Sequence, residues 1–240
     1  MEPLLIVKAG TTVPGVLSRR RDCEVWITAG LGLAHSQVNV CSVYLDEALP
    51  DPRDFSGVVV TGSSAMVTDA APWSERTAVW LHAAVAAGTP VLGICYGHQL
   101  LAHAFGGTVQ YNPHGRNIGT GDVTLTADAP NDPLFGGFEK VLHLPVSHRQ
   151  SVITLPPGAR RLATAERDPN HAFAIGDHTW GLQFHPEFDA DIVRGYIDAR
   201  RTDLQAEGLD ADALYARATD TLHGSLLLRR FTGFIRQRGA

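Results

Sequence analysis

Pro90-Val91-Leu92-Gly93-Ile94-Cys95-Tyr96-Gly97-His98-Gln99-Leu100-Leu101-Ala102 is the stretch whose reading decides the fold. Val91 to Ile94 is a short apolar run of the kind a buried strand needs, and it stops at a cysteine flanked by Gly93 and Gly97. Leu100, Leu101, Ala104 and Phe105 then recur at helical spacing. Strand, sharp turn and helix around a nucleophile is the geometry of a nucleophile elbow. Its turn needs glycines because neighbouring backbones approach closely. A cysteine at a helix start faces unpaired backbone N–H groups and the positive end of the helix dipole, which favours the thiolate. The same residues also read as a small buried cysteine that ends a strand. Taken alone, the stretch leaves both readings open.

Outward from it, apolar runs and helical patterns alternate. Residues 4–7, 38–44 and 57–61 read as strands, and residues 16–31 as a weakly periodic helix. Pro72 suits a helix start, and Val79, Trp80, Ala83, Ala84 and Ala87 give that helix an apolar face up to Gly88. This alternation predicts an α/β fold with an open, mostly parallel sheet and helices on both faces. Beyond Gly107, short strand-like pieces at 108–111, 122–126, 141–144 and 152–155 predict a small antiparallel β patch. Residues 172–175 and 180–185 read as a hairpin pair within it. Helical patterns return at 189–207, 210–222 and 226–238. With no repeat or linker, residues 1–240 are expected to form one domain, with 189–240 its C-terminal helical segment.

The 240 residues carry a formal net charge of -5 and no Lys/Arg-rich stripe, which argues against nucleic acid as a partner. No stretch approaches the roughly 18 apolar residues of a membrane span. The N-terminus has no basic, long-apolar leader, so a cytoplasmic location is the expectation. Cys23, Cys41 and Cys95 form no CxxC pair, which speaks against a disulfide framework or structural zinc. His103, His114, His143, His171, His178 and His223 show no ligand spacing, so no metal is expected.

The second informative stretch is Gln183-Phe184-His185-Pro186-Glu187. Pro186 ends strand pairing, and in extended chain His185 and Glu187 face the same way. A carboxylate beside an imidazole orients it and raises its basicity, the third role in a nucleophile–base–orienter set. A histidine capping a strand beside a solvated glutamate is the plainer alternative.

Together and in this order, the two stretches closely resemble those of the class I (triad) glutamine amidotransferases, in particular the amidotransferase domain of GMP synthase and its free-standing relatives. Val60-Thr61-Gly62-Ser63 resembles the family's oxyanion loop, and Ala104-Phe105-Gly106-Gly107 its helix end. Gly115-Arg116-Asn117-Ile118-Gly119 and Val146-Ser147-His148-Arg149-Gln150-Ser151-Val152 resemble its glutamine-pocket segments. Asn117 departs from the glutamate frequent there.

The resemblance implies a flavodoxin-like class I fold and a Cys95–His185–Glu187 triad hydrolysing the glutamine side-chain amide through a cysteinyl thioester. Backbone N–H groups of Gly62 and Tyr96 would hold the oxyanion, Gln99, Ser147 and His148 would contact substrate, and no cofactor is implied. Glutamine or another γ-glutamyl compound is the expected substrate. A separate synthetase subunit that consumes the ammonia, and a second copy docked on the C-terminal helices, are the protein partners this reading admits. No nucleotide loop or GxxxxGK[ST] motif is present, so the synthetase half of GMP synthase is not expected here. A free-standing γ-glutamyl peptidase or amidase is the alternative, and a non-catalytic regulatory module a further one.

Overall fold

The computed structural model describes residues 2–238; Met1, Gly239 and Ala240, the outermost of the expected 1–240 unit, lie outside the described residues. The strands are β1 (Leu4–Lys8), β2 (Val38–Ser42), β3 (Gly57–Val60), β4 (Val91–Ile94), β5 (Thr108–Tyr111), β6 (Asn117–Leu125), β7 (Val141–His148), β8 (Gln150–Thr154), β9 (Arg160–Ala165), β10 (Asp168–Ile175) and β11 (Thr179–Leu182). The helices are α1 (Pro14–Arg20), α2 (Cys23–Leu31), α3 (Pro72–Ala86), α4 (Tyr96–Ala104), α5 (Ala190–Asp198), α6 (Arg201–Ala206), α7 (Ala211–Arg217) and α8 (His223–Arg238).

One sheet runs β2-β1-β3-β4-β11-β10-β9-β6-β7, and β5 pairs with β8 in a separate ribbon. From β2 to β11 the pairings are parallel; from β11 to β7 they are antiparallel. The α/β expectation holds, and most of the antiparallel strands extend the parallel sheet. β9 is an addition to the sequence reading, because its Arg160-Arg161 start and Ala163-Thr164-Ala165 end carry little apolar signal.

Alternation along the parallel strands divides the core in two. Leu4, Ile6, Val59, Leu92 and Ile94 pack with Ile27, Leu31, Leu227, Leu228 and Phe231 of α2 and α8. Leu5, Val7, Val58, Val60 and Val91 pack on the opposite face with Ala78, Leu81, Leu100 and Leu101 of α3 and α4. A third cluster joins Val16, Trp26 and Phe188 to Ile192, Val193, Ile197 and Leu204 of α5 and α6. Among the described residues, no helix is long and apolar enough to cross a membrane.

Three helices depart from the sequence reading. The expected helix over 16–31 breaks at Arg21, whose φ of 65° ends α1 before Asp22 caps α2. Neither Gly nor Pro marks the break. On α3 the buried face is Ser74, Thr77, Ala78, Leu81 and Ala84, while Val79 is 71% exposed. The inward side carries a polar contact as well as Ala78, Leu81 and Ala84, since Ser74 Oγ accepts from the Tyr96 hydroxyl at 2.6 Å. The pattern over 189–207 also divides, into α5 and α6, around Ala199 and Arg200.

The loop after β1 is tied down by charge. Lys8 Nζ lies 2.8 Å from Asp22 and 2.9 Å from Glu24. Burial works against its charge, and the two carboxylates outweigh that and raise its pKa. Asp22 Oδ1 also accepts hydrogen bonds from Thr12 N and Cys23 N.

Candidate active site

Three adjacent parallel strands end on one side of the sheet and hand over to the conspicuous residues. Gly62 follows β3, Cys95 follows β4, and His185 follows β11. The crevice at the carboxyl ends of such strands is where open α/β sheets bind ligands.

Cys95 is the N-cap of α4, with φ 51° and ψ -97°. That positive φ is a strained conformation for a side-chain-bearing residue, of the kind functional sites hold at a cost of about 1–3 kcal/mol. Its backbone is locked by Cys95 N donating to Leu182 O at 2.7 Å, and by Gln99 N donating back to Cys95 O. The flanking glycines permit the turn. A Cβ on Gly93 would lie 2.4 Å from Gly97 O, and one on Gly97 would lie 2.4 Å from Val60 O. Strand β4, helix α4 and strand β3 thus meet at backbone-contact distance.

His185 Nδ1 pairs with Glu187 Oε1 at 2.8 Å, both side chains buried. The His185 backbone N–H donates to Pro145 O, and its ring stacks on Phe188 with centroids 4.0 Å apart. Burial opposes charge on the ring. Glu187 and then Cys95 more than offset it, and the pKa is pushed up to about 10. The other ring nitrogen, Nε2, is buried without a hydrogen-bond partner. Gly62 bridges the two groups: a Cβ there would lie 2.9 Å from His185 Cε1 and 3.7 Å from Cys95 Cβ. A glycine is the residue that leaves this gap open. Sulfur, imidazole and carboxylate in such an array can attack a carbonyl carbon and carry a proton to a leaving amine.

The other expected contacts lie around this centre. Tyr96 opens α4, where backbone N–H groups have no intrahelical acceptor. Its hydroxyl, facing away from that end, is the partner of Ser74. Gln99 is buried, and its amide nitrogen donates to Gln150 O at 2.7 Å and Gln183 Oε1 at 3.0 Å. Ser147 O accepts from Cys95 Sγ at 3.7 Å. His98, which the motif leaves open to solvent or contact, is fully buried 4.9 Å from the Phe173 ring, and burial lowers its pKa to about 3.

His148 turns inward. Its Nε2 lies 3.3 Å from Asp168 Oδ2, with His171 Nδ1 3.6 Å from the same oxygen. Burial depresses the His148 pKa. Burial works against the charge on Asp168, and the two histidines overcome it and hold the carboxyl below its ordinary range. His148, Asp168 and His171 are close enough to hold a metal ion. Asp168 also accepts from Ser151 Oγ at 2.8 Å and Asn170 N at 3.2 Å, so hydrogen-bond donors already surround it. Sequence spacing hides this cluster because its members come from β7 and β10.

Two cavities border the site, and Cys95 lines the first of them. One, of about 170 Å³, is lined by Ser63, Cys95, Gln99, Ser147, Gln150 and Arg200 among others. The second, of about 300 Å³, lies on the histidine side against Thr12, Pro14, Leu17, His185, Phe188 and Tyr196. Arg200 borders both, a residue that sequence reasoning misses because nothing in the helical pattern around it marks a binding group.

A family model described as glutamine amidotransferase class-I matches residues 26–192. The chain belongs to the class I glutamine amidotransferase family. It is 32% identical over 190 residues to a glutamine-hydrolysing GMP synthase of Porphyromonas gingivalis, covering 78% of this chain and 33% of that one. This amidotransferase chain therefore spans about a third of the length of that relative. It is also 31% identical over 163 residues to gamma-glutamyl peptidase 3 of Arabidopsis thaliana, covering 64% of each. Among solved structures, a glutamine amidotransferase of Thermotoga maritima superposes with TM-score 0.75 at 22% identity, over 98% of this chain and 99% of that one. A glutamine amidotransferase of Methylobacillus flagellatus superposes with TM-score 0.75 at 24% identity, over 99% and 95%. Both likenesses bear out the fold class.

Proposed function

We propose that this amidotransferase hydrolyses the side-chain amide of glutamine and releases ammonia, with Cys95 as nucleophile, His185 as base and Glu187 as its orienter. The observation that carries the reading is the closeness of Cys95 and His185 across Gly62, with Glu187 on the far ring nitrogen. The sulfur attacks the carboxamide carbon, and the negative oxygen meets the backbone N–H groups of Gly62 and Tyr96. Loss of one such donor typically costs about 2.7–4 kcal/mol. His185, whose charged form Glu187 favours, takes the thiol proton as the sulfur attacks and passes it to departing ammonia. Water activated by the same imidazole then opens the thioester to glutamate. Gln99, Ser147 and His148 act in substrate binding, with His148 working through the β7 backbone it anchors. The ammonia is delivered to a separate synthetase partner, which is consistent with the GMP synthase relatives. The reaction is placed in the cytoplasm. Residues 189–240 act as part of one domain with the core, a reading supported by the packing of α5 and α8 against it.

The roomier histidine-side cavity favours a second reading, a γ-glutamyl peptidase. The leaving amine must face His185, and about 300 Å³ there exceeds what ammonia needs.

The test is glutamate release from glutamine and from γ-glutamyl dipeptides, with Cys95→Ala as control. Turnover of glutamine lost in the variant by a factor of about 10³ or more supports the triad. Turnover that persists in Cys95→Ala overturns it, and a strong preference for dipeptides selects the second reading.

A further inference from the structure

Arg200 sits at the junction of α5 and α6, beyond the residues 26–192 matched by the family model. It borders both the cavity lined by Cys95 and the one lined by His185. Half-buried, it has no carboxylate within salt-bridge distance among the described residues. Its guanidinium lies 4.7 Å from the Tyr196 ring centroid and donates a 3.4 Å hydrogen bond to Tyr196 O. Nearby Arg116 contrasts with it. Arg116 is neutralised by Glu207 at 2.8 and 2.9 Å and by Asp203 at 3.4 Å. Half-buried cations without a counter-ion are costly, and a guanidinium fork matches a carboxylate in two parallel hydrogen bonds.

Three residues further along, Asp203 lines the Cys95 cavity, and its side chain makes, among the described residues, only that one long contact to Arg116. The two side chains bring a cation and an anion to the lining of the cavity that holds the sulfur. An α-amino acid presents the opposite pair, an α-carboxylate and an α-ammonium.

We propose that Arg200 and Asp203 bind the free α-amino-acid head of the substrate, Arg200 its carboxylate and Asp203 its ammonium. The inference rests on the amide-hydrolysing reading of Cys95 above and adds to it the residues that select the head of the substrate. Accepted substrates carry an unblocked glutamyl head, as free glutamine and γ-glutamyl conjugates do. A glutamine within a polypeptide, whose head is tied up in peptide bonds, is rejected. Neither residue touches the reacting carbon, so both act on binding. The C-terminal helical segment thereby contributes directly to selectivity.

The experiment compares glutamine with 4-aminobutanamide, which lacks the carboxylate, and 4-carbamoylbutanoate, which lacks the ammonium. Turnover is measured for the full chain and for Arg200→Gln, Arg200→Lys and Asp203→Asn. Binding of the three compounds by calorimetry is measured in Cys95→Ala protein with and without the same changes. Arg200→Gln is expected to raise the KM and Kd for glutamine about tenfold to a hundredfold with kcat kept. The 4-aminobutanamide values should not move, and Arg200→Lys should recover part of the loss. Asp203→Asn should weaken glutamine while sparing 4-carbamoylbutanoate. Equal weakening of glutamine and 4-aminobutanamide in Arg200→Gln would mark a merely structural arginine and overturn the proposal, as would no change in either. Glutamine binding that depends on Arg200 alongside turnover that ignores Cys95 would instead overturn the triad and leave the head site standing.

Discussion

The two halves of the main sheet build the site in different ways. In the parallel half, β3, β4 and β11 each end at one residue of the centre, Gly62, Cys95 and His185, and each is set within a few residues of its strand. In the antiparallel half and the segments packed on it, Ser147, His148, Asp168 and Arg200 arrive from distant parts of the chain. The first half sets Gly62 and Cys95 by backbone contact with no slack. The second depends more on side-chain contacts, those of Asp168 with His148, His171 and Ser151 above all. On the reading proposed above, chemistry that needs a fixed attack angle falls on the rigid half, and binding, Gln99 excepted, on the adaptable one.

Matched glycine changes give the widest contrast. Gly97→Ala would push a methyl to 2.4 Å from Val60 O, between backbones that cannot yield. It should cost about 3 kcal/mol and abolish glutamate release. Gly121→Ala in β6 has nothing within 4 Å of its Cβ and should change stability by less than about 0.5 kcal/mol. Urea unfolding of both variants measures the gap, and similar costs would break the comparison.

Asp168→Asn probes the adaptable half at its most connected point. It removes the charge that His148 and His171 face, and should cost about 2 kcal/mol by urea unfolding. KM for glutamine should rise more than kcat falls, because His148 stands next to Ser147 rather than at the sulfur. A fall confined to kcat would place this cluster with the chemistry.

A smaller effect lies in the pH dependence of Tm. The folded pKa of His185 is about 10, above its ordinary 6.5. The folded state thus binds the extra proton between these values, and its contribution is full below pH 6.5 and lost as pH rises toward 10. Tm should decline across that window, and the decline should be shallower in Glu187→Gln. An equal slope in both would show that Glu187 does not hold the charge.

The sequence reveals these halves unequally, for the same physical reason. Around Cys95 the constraints are local: apolar run, glycine, nucleophile, glycine and helix are consecutive, and steric contact leaves them few alternatives. His185 and Glu187 are two residues apart and equally legible as a pair. The phase of α3 misleads because Val79 and Trp80 look like a face, while the side that packs includes Ser74 and Thr77. Arg21 breaks a helix through its own backbone conformation, which no side-chain pattern announces. His148 is named in the sequence as a pocket residue, but its partners Asp168 and His171, and Arg200 with them, acquire meaning only when β7, β10 and the α5–α6 junction come together. Long-range assembly leaves no period to read.

Helix α8 lies against the same turn that carries His185. A Cβ on its Gly224 would come 2.3 Å from Pro186 O, so the helix rests on the backbone between His185 and Glu187. During synthesis, Cys95 emerges early and its elbow can form early, but the imidazole is not backed until α8 has been made and laid down. A nascent chain therefore carries Cys95 before the turn of His185 and Glu187 is backed, and on the reading proposed above glutamate release is expected only once α8 has closed behind that turn.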